Sequence, residues 1–261
     1  MAAECGKRHT PRMLDLTGAH VLIIGGSRGI GAAAAECAAQ AGARVSLTYV
    51  CGKPAAEAVV QKIIAAGGTA QAIAADLTDA NSIDQATAAA VATFGPLQGL
   101  VVSAGSFIGK SLREMTPEFW DEIVGINLRG TFLAVKASES RMVDGGSIVI
   151  YTSTAGQRGS AVFSAYATAK AGQIIFMRSM AIELAPRRIR VNCIAPSWTE
   201  TDMSAGTMDQ IGREKILAGC PLGRVGLPSD VANATAFLLS SLASFMTGTT
   251  MTVDGGIDMR G

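Results

Sequence analysis

Residues 20–40 read HVLIIGGSRGIGAAAAECAAQ, in which an apolar run, a glycine-rich turn and an alanine-rich stretch follow one another directly. The apolar run His20–Ile24 predicts a buried strand, and the stretch Gly29–Gln40 predicts a helix. Glycines at positions 25, 29 and 31 remove side chains where the backbone turns tightly and where helix N-terminal amides attract a pyrophosphate. This order indicates a dinucleotide site, although a glycine-rich turn alone also fits a simple tight connection.

The same alternation of short apolar runs and helical patterns continues along the chain. The runs are rich in Val, Ile, Leu and Ala without strict alternation, as expected of strands covered on both faces. Strands are predicted at Arg44–Tyr49, Ala70–Ala74, Gly99–Ser103, Ser147–Tyr151, Arg190–Ile194 and Thr249–Val253, and helices at Pro54–Ala66, Asp79–Phe94, Thr116–Ala137, Ser160–Ala185 and Ser229–Ser241. Asp79 and Ser229 are predicted N-caps. The pattern predicts an α/β, single-domain Rossmann-type fold, a doubly wound parallel sheet of about seven strands with ligands at the strands' carboxyl ends.

Composition limits the possible partners of the protein. The chain has 261 residues, 49% of them hydrophobic, and a net charge of +1, which argues against nucleic acid or an anionic membrane as partner. Five cysteines without C-x-x-C spacing indicate reduced thiols and a cytoplasmic protein. The only histidines are His9 and His20, so we expect neither a histidine-based triad nor a metal site.

The N-terminal residues 1–14 are predicted to be a flexible tail before a single domain at residues 15–261. They contain basic residues but lack the apolar segment of a secretory signal. The uncharged stretches Gln85–Gly109 and Val231–Val253 are interrupted by turn residues, so neither predicts an unbroken membrane-spanning helix.

Tyr166 and Lys170 are four residues apart and leave the same face of a predicted helix. An ammonium roughly 5 Å from a phenol, at an effective dielectric of about 20, favours the phenolate by about 3 kcal/mol and lowers the phenol pKa by about two units. Tyr166 is therefore a candidate general acid and base. Ser153, at the end of a predicted strand, can bring a hydroxyl to the same carbonyl oxygen. Taken alone, the pair also fits an ordinary surface contact on a helix.

The end of the second predicted strand indicates which dinucleotide is bound. An NAD site usually offers a carboxylate there to the ribose 2′-hydroxyl, but no Asp or Glu occurs between Glu36 and Glu57. Arg28, and Lys53 as a second candidate, can bind a 2′-phosphate. We therefore expect NADP(H) as the preferred cofactor, with NAD(H) possible; the alternative is that Arg28 is only a solvated loop residue.

Further motifs at strand ends and on helices complete a pattern that extends from about Leu16 to Gly256. By this pattern of motifs the chain resembles the short-chain dehydrogenase/reductase family. It looks most like the branch that contains 3-oxoacyl-(acyl-carrier-protein) reductases and small sugar-alcohol or ketone dehydrogenases. The matching motifs are Gly25-x-x-x-Gly29-x-Gly31, Asp76-Leu77, Ala104-Gly105, Asn127, Ser153, Tyr166-x-x-x-Lys170, and Pro196 with Thr201.

The resemblance implies the role of each site residue. Tyr166 donates the proton in reduction, Ser153 orients the substrate carbonyl, and Lys170 lowers the tyrosine pKa and binds the nicotinamide ribose. Asn127 holds a water that connects Lys170 to solvent, and Asp76 accepts from the adenine amino group. The implied cofactor-binding residues are Gly25, Ser27, Arg28, Gly29, Ile30, Gly31, Tyr49, Asp76, Leu77, Ser103, Ala104, Gly105, Tyr166, Lys170, Pro196, Thr199 and Thr201. A homodimer or homotetramer built on the two longest helices is also implied.

The substrate pocket is expected to be mostly apolar. Its predicted walls are Ser106–Ile108, Thr154–Gln157, Val162–Phe163 and residues 197–224, the last of which contains Trp198, Met203, Met208 and Ile211. These four side chains fit either a closing lid or ordinary packing. Because no arginine clamp is evident, a neutral ketone, an alcohol or an acyl thioester fits better than a small anion.

We therefore expect an NADP(H)-dependent oxidoreductase that acts on a small-molecule carbonyl or secondary alcohol, with Asn127, Ser153, Tyr166 and Lys170 as its catalytic residues. The alternatives are a catalytically silent dinucleotide-binding sensor or scaffold, and an NAD-dependent sugar or polyol dehydrogenase.

Overall fold

The computed structural model describes residues 14–258. Seven parallel strands form one sheet in the order β3-β2-β1-β4-β5-β6-β7. The strands are β1 His20–Ile24, β2 Arg44–Tyr49, β3 Thr69–Ala74, β4 Leu97–Val102, β5 Met142–Tyr151, β6 Arg190–Pro196 and β7 Thr250–Val253. Residues 1–13 of the predicted tail, including Cys5 and His9, lie outside the described residues.

Helices cover both faces of this sheet, as the sequence predicts. They are α1 Gly29–Gln40, α2 Lys53–Ala65, α3 Ala80–Phe94, α4 Pro117–Val124, α5 Gly130–Glu139, α6 Thr154–Arg158, α7 Ser164–Glu183, α8 Asp202–Ile211, α9 Arg213–Ala218 and α10 Pro228–Leu239. Buried residues of α1, α2 and α10 pack on one face, and those of α3, α5 and α7 on the other. Of the helices in residues 14–258, none combines the length and apolarity needed to cross a membrane.

The central strands show why the apolar runs lack a polar alternation. Val21 and Ile23 of β1 belong to the core under α1 and α10, whereas Leu22 and Ile24 belong to the core on the opposite face. All four side chains are buried. A strand covered on both faces needs apolar residues at every position, so the continuous run is a direct consequence of the two helical layers.

The two longest predicted helices differ from the prediction in ways that affect the site. The predicted helix Thr116–Ala137 is interrupted, because a π-helical turn at Gly125–Arg129 separates α4 from α5. The helix predicted to start at Ser160 begins only at Ser164. Val162 has a φ of 69°, in the left-handed region, which a right-handed helix cannot contain.

One of the two predicted helix caps is confirmed. The Asp79 carboxylate accepts a hydrogen bond from the Asn81 amide at 2.9 Å and caps α3. The prediction for Ser229 is wrong, because α10 already starts at Pro228. There the carboxylate of Asp230 accepts from the Leu227 amide at 2.7 Å and satisfies the helix start instead.

Candidate active site

A cavity of about 780 Å³ opens at the carboxyl ends of the strands. The position is the one expected for ligands in a doubly wound sheet. Its walls bring together residues that are far apart in the sequence. The predicted site residues that line it are Gly25, Ser27, Arg28, Gly29, Ile30, Tyr49, Ser103, Ala104, Gly105, Asn127, Ser153, Tyr166, Lys170, Pro196, Thr199 and Thr201.

The glycine-rich turn after β1 is shaped by close contacts within the protein. Gly25 has a φ of +83°, and a Cβ there would lie 2.7 Å from the backbone nitrogen of Ala104. A Cβ on Gly31 would lie 2.1 Å from the carbonyl oxygen of Gly25. Both distances are too short for any side chain, so these two glycines let the turn fold tightly against β4 and α1.

The N-terminus of α1 faces the cavity and is suited to an anion. Arg28 is its N-cap residue and makes no side-chain cap bond among the described residues, so the first amides of α1 lack a side-chain acceptor. Gly29 and Ile30 of the first turn line the cavity. Free amides and the helix dipole favour a phosphate group at this place. The residues present therefore fit the pyrophosphate of a dinucleotide.

The end of β2 carries no acidic side chain into the cavity. Tyr49, together with the following residues 50–52, lines the wall, and the exposed side chain of Arg28 lies on the same cavity. Lys53, the second predicted cation, does not line the cavity and instead pairs with Glu57 at 3.6 Å. Of the two predicted cations, Arg28 is therefore the one that lies on this wall and can bind a 2′-phosphate.

Three predicted cofactor residues are absent from the cavity wall: Gly31, Asp76 and Leu77. Asp76 accepts hydrogen bonds from the amide and hydroxyl of Thr78, at 2.8 and 2.7 Å, and these bonds lower the pKa of its carboxyl. Leu77 is buried and packs against Gly130, where a Cβ would lie only 2.6 Å from the Leu77 Cγ. In this structure Asp76 stabilises a turn, and Leu77 is a core residue.

Asn127 lies in the π-helical turn and fixes the loop after β4. Its Nδ2 donates to the carbonyl oxygens of Ser106 and Ile123 at 3.0 and 2.9 Å, and its Oδ1 accepts from the Ser106 amide at 3.2 Å. A Cβ on Gly105 would lie 2.7 Å from that Oδ1 and 3.6 Å from Lys170 Nζ. Because π-helical turns often mark functional positions, the interruption of this helix is itself informative.

Ser153, Tyr166 and Lys170 meet at the centre of the cavity. Ser153 is the N-cap of α6, where its Oγ accepts from the Ala155 amide at 3.1 Å, and it is hydrogen-bonded to the hydroxyl of Tyr166. Lys170 Nζ donates to the carbonyl oxygen of Tyr151 at 2.7 Å and lies 5.5 Å from the ring centroid of Tyr166. The helical spacing of four residues brings the two α7 side chains together, as predicted.

The pKa of Tyr166 is shifted in the direction opposite to the one predicted. Burial raises it from 10.0 to about 12, although the hydrogen bond with Ser153 opposes the shift. Burial also lowers the pKa of Lys170 from 10.5 to about 8. The prediction considered only the attraction between the two groups, whereas loss of solvent disfavours the charged form of each. At neutral pH the phenol is thus protonated, which is the form that can donate a proton.

Aromatic side chains form the wall beside Tyr166. Phe107 stacks on Phe163 with ring centroids 4.4 Å apart, and its ring meets those of Tyr166 and Trp198 edge-on at 5.0 and 6.0 Å. Such a wall makes the surroundings of the phenol less polar on this side.

The residues around position 200 divide between cavity wall and core. Trp198, Met203 and Ile211 line the cavity, whereas Met208 is fully buried and serves ordinary packing. In the three shorter predicted wall segments, four residues do not line the cavity: Ile108, Gly156, Gln157 and Val162.

One arginine that the sequence reading did not include among the predicted walls lines the cavity. Arg158, at the end of α6, lines the cavity, is exposed, and makes no hydrogen bond or ion pair with the residues at 14–258. The sequence carried a signal for it, because Ala155 and Arg158 are one helical turn apart once Ser153 starts a helix. That short helix was not predicted, and Arg158 was missed with it.

Comparison with known proteins extends these observations. The sequence model of a family described as enoyl-(acyl carrier protein) reductase matches residues 24–258. A 3-oxoacyl-[acyl-carrier-protein] reductase of Synechocystis sp. is 38% identical over 250 residues, which cover 95% of this chain and 100% of the relative. An L-rhamnose 1-dehydrogenase (NAD(P)(+)) of Azotobacter vinelandii is 38% identical over 244 residues, or 91% of this chain and 95% of the relative. A blue fluorescent protein from a metagenomic library, solved in complex with NADPH, superimposes with a TM-score of 0.87 at 35% identity, covering 93% of this chain and 99% of the other.

Proposed function

Since the chain belongs to the short-chain dehydrogenase/reductase family of oxidoreductases, in the branch similar to 3-oxoacyl-(acyl-carrier-protein) reductases, we propose that it transfers a hydride between NADP(H) and a carbonyl or secondary alcohol substrate. The observation that carries the proposal is the meeting of Tyr166, Ser153 and Lys170 in one cavity with the glycine-rich turn.

The proton-transfer steps follow from the side chains of the site. Ser153 orients the carbonyl oxygen of the substrate, and Tyr166 gives that oxygen the proton of its phenol. Lys170, held beside the tyrosine ring by its bond to the Tyr151 carbonyl, stabilises the phenolate that remains. A nicotinamide dinucleotide, when bound, supplies or accepts the hydride, and the protein contributes position and electrostatics.

NADP(H) rather than NAD(H) is proposed as the preferred cofactor. Its support is the exposed Arg28 at the cavity wall, which has no ion pair with residues 14–258, together with the absence of an acidic side chain after β2 among residues 49–52. The relative solved with NADPH agrees with this choice, although the dehydrogenase of Azotobacter vinelandii carries both cofactors in its name.

The substrate class is proposed from the cavity wall. The aromatic wall of Phe107, Phe163 and Trp198 favours a substrate with an apolar part next to its carbonyl. Residues 197–224, with α8 and α9, are proposed to act as a lid, because Trp198, Met203 and Ile211 reach the cavity from this segment.

The decisive experiment follows nicotinamide absorbance with a panel of acyl thioesters, neutral ketones and aldoses. Tyr166→Phe should bind NADPH as the wild type does but lose turnover by about 10²- to 10⁴-fold, the worth of a general acid. The matched control is Tyr151→Phe. It also removes a phenol hydroxyl, but one that pairs with Thr235 at 2.7 Å, while the backbone carbonyl that binds Lys170 is retained. Equal turnover of wild type and Tyr166→Phe would refute the mechanism.

We also propose a homodimer or homotetramer that buries the outer faces of α5 and α7. Phe132 is 46% exposed, Ile175 58% and Ile182 79%, although all three are large and apolar. Such a surface marks a contact with another chain. Light scattering should give a multiple of the chain mass, and Ile182→Glu should reduce it; a monomeric wild type would contradict the proposal.

A further inference from the structure

Arg158 is a charged residue of the cavity wall that the proposed mechanism does not use. Among residues 14–258, the charged side chains that line the cavity are those of Arg28, Arg158, Lys170 and Asp202. Arg28 is proposed to bind the 2′-phosphate, and Lys170 stabilises the phenolate. Asp202 lies in the first turn of α8, where the helix dipole favours a carboxylate. The positive charge of Arg158 is therefore the one that still needs a counterpart.

The helical face of α6 directs the side chain of Arg158 towards the cavity. Thr154, Ala155 and Arg158 line the cavity, whereas Gly156 and Gln157 do not. At about 100° per residue, the three lining residues fall within roughly 100° of the helix circumference, and the other two lie outside that sector. One face of α6 is thus presented to the cavity, and Arg158 belongs to it.

Contacts on the other sides of α6 hold this orientation. A Cβ on Gly156 would lie 2.7 Å from the carbonyl carbon of Lys170, so α6 packs directly on the backbone of α7. Gln157 Nε2 donates to Thr252 Oγ1 of β7 at 3.2 Å. Because α6 is fixed between α7 and β7, rotation of the helix cannot withdraw Arg158 from the cavity.

The side chain of Arg158 extends towards the reacting groups. Side chains on a helix lean towards its N-terminus, and α6 starts at Ser153, which is hydrogen-bonded to the hydroxyl of Tyr166. Arg158 follows Ser153 by five residues, which corresponds to about 7.5 Å along the helix axis. A substrate whose carbonyl oxygen lies on Ser153 therefore has the guanidinium beside a group a few atoms away from that carbonyl.

The guanidinium of Arg158 is free to bind an anion. Arg224, by contrast, binds both carboxylate oxygens of Asp230, at 2.7 and 3.0 Å. Arg158 has no such partner within residues 14–258. Ser160 lines the cavity two residues further on, and its hydroxyl makes no hydrogen bond in the described part of the chain. Together the two side chains offer a cation and a hydroxyl donor.

We propose that Arg158 binds a carboxylate of the substrate, which is therefore an oxo acid, or the corresponding hydroxy acid, with a short apolar spacer between the carboxylate and the reacting carbon. The inference rests on the proposed function and names its substrate class. The stacked rings of Phe107 and Phe163 provide an apolar wall for the spacer. A guanidinium meets the two oxygens of a carboxylate with two parallel hydrogen bonds, and the Ser160 hydroxyl can donate a third.

A carboxylate fits this place better than a phosphate does. A phosphate dianion is usually met by several cations or by the free amides of a helix start. Arg158 is one cation, and the start of α6 is capped by Ser153, whose Oγ accepts from the Ala155 amide.

The test compares 4-oxopentanoate with its methyl ester in NADPH-dependent reduction. The ester keeps the carbonyl and the spacer but has no charge. We expect the wild type to show a kcat/KM at least tenfold higher for the acid, and Arg158→Gln to abolish this preference through KM, with kcat unchanged, because a remote charge contributes equally to substrate and transition-state binding. Arg158→Lys should keep part of the preference, since lysine retains the charge but not the planar fork.

Arg188→Gln is the matched control. It makes the same change in net charge at an exposed arginine, which lies just before the amino end of β6 and hence at the edge of the sheet opposite the cavity. The preference for the acid should be the same in this variant as in the wild type. A similar loss in both variants would show a general effect of charge and overturn the proposal.

Three other outcomes would also overturn it. The first is an equal kcat/KM of the wild type for acid and ester, or no reduction of either when neutral ketones are reduced. The second is an equal loss for acid and ester in Arg158→Gln, which would assign the guanidinium to a contact within the protein, such as one with Asp202. The third is a dependence on Arg158 for acetoacetyl-coenzyme A but not for 4-oxopentanoate, which would assign it to a phosphate.

Failure of the proposed function gives a different result. A wild type that binds NADPH but reduces no carbonyl would refute that function. In that case calorimetric titration of the NADP⁺-saturated protein with 4-oxopentanoate decides the role of Arg158. The dissociation constant should rise about tenfold in Arg158→Gln and not in Arg188→Gln, and equal constants in all three proteins would overturn the proposal.

Discussion

Replacing Lys170 by methionine should change how the free energy of unfolding depends on pH. The side chain of Lys170 is only 5% exposed, and its Nζ donates to the Tyr151 carbonyl at 2.7 Å. Burial lowers the pKa of Lys170 from 10.5 to about 8. At about 1.4 kcal/mol per pKa unit, this difference corresponds to roughly 3 kcal/mol by which the folded protein disfavours the charged lysine.

The sign of the effect follows from proton binding. Between about pH 8 and pH 10.5 the unfolded chain holds the Lys170 proton and the folded protein has released it. Stability therefore rises with pH in this window, and the contribution is lost as the pH falls through 8. Methionine has no proton to release, so the unfolding free energy of the wild type minus that of Lys170→Met should increase by up to about 1.4 kcal/mol per pH unit.

Urea denaturation of both proteins at equal concentration, at intervals from about pH 7 to about pH 10, measures this difference. Burial also raises the pKa of Cys193 from 9.0 to about 12. The contribution of Cys193 to the unfolding free energy therefore falls as the pH rises above 9.0. Cys193 is present in both proteins, so its main contribution cancels. A difference that is flat across the window would refute the reasoning. A difference that falls with pH would mean that the folded protein holds the Lys170 proton more tightly than the unfolded chain does, which is the opposite of the effect of burial.

Three further outcomes follow from the cavity walls. Arg28→Ala should weaken NADPH binding by about 10- to 100-fold, the worth of a charge-assisted hydrogen bond of about 1.5–3 kcal/mol, and NADH binding far less; calorimetric titrations that show equal losses would contradict the 2′-phosphate role. Gly105→Ala should lower kcat about tenfold or more, because its methyl would lie 2.7 Å from Asn127 Oδ1; full activity would show that Asn127 can move without consequence. Arg158→Gln should raise KM about tenfold for carbonyl substrates that carry a carboxylate or phosphate and leave KM for neutral ones unchanged; steady-state kinetics with one pair of such substrates decides.

Local patterns were sufficient for the parts of the molecule that depend on neighbours in sequence. The run His20–Ile24, the glycine turn and the helix Gly29–Gln40 have the predicted bounds. The spacing of Tyr166 and Lys170 placed both on one face of α7. These predictions hold because helix and strand periodicity, tight turns and helix N-termini are set by a few consecutive residues.

Two features of the site were not visible in the pattern of apolar runs. The π-helical turn that carries Asn127 is hydrogen-bonded to Gln173, which is 46 residues away in sequence, so this contact exists only in the folded chain. Arg158 lines the cavity because a short helix starts at Ser153, and the cap of that helix is a local contact that apolar periodicity does not display.

The sequence by itself determined the order of strands and helices, the glycine turn and the identity of the tyrosine–lysine pair, because each is encoded in local apolar periodicity and residue type. Only the tertiary structure decided how solvent is excluded from that pair. Packing of α7 against the sheet and the loop after β4 buries the ammonium and removes much of the solvent around the partly buried phenol, so the pKa of Tyr166 rises and that of Lys170 falls. The physical reason is that desolvation depends on every segment that surrounds a group, whereas the attraction between two neighbours on a helix depends only on their spacing.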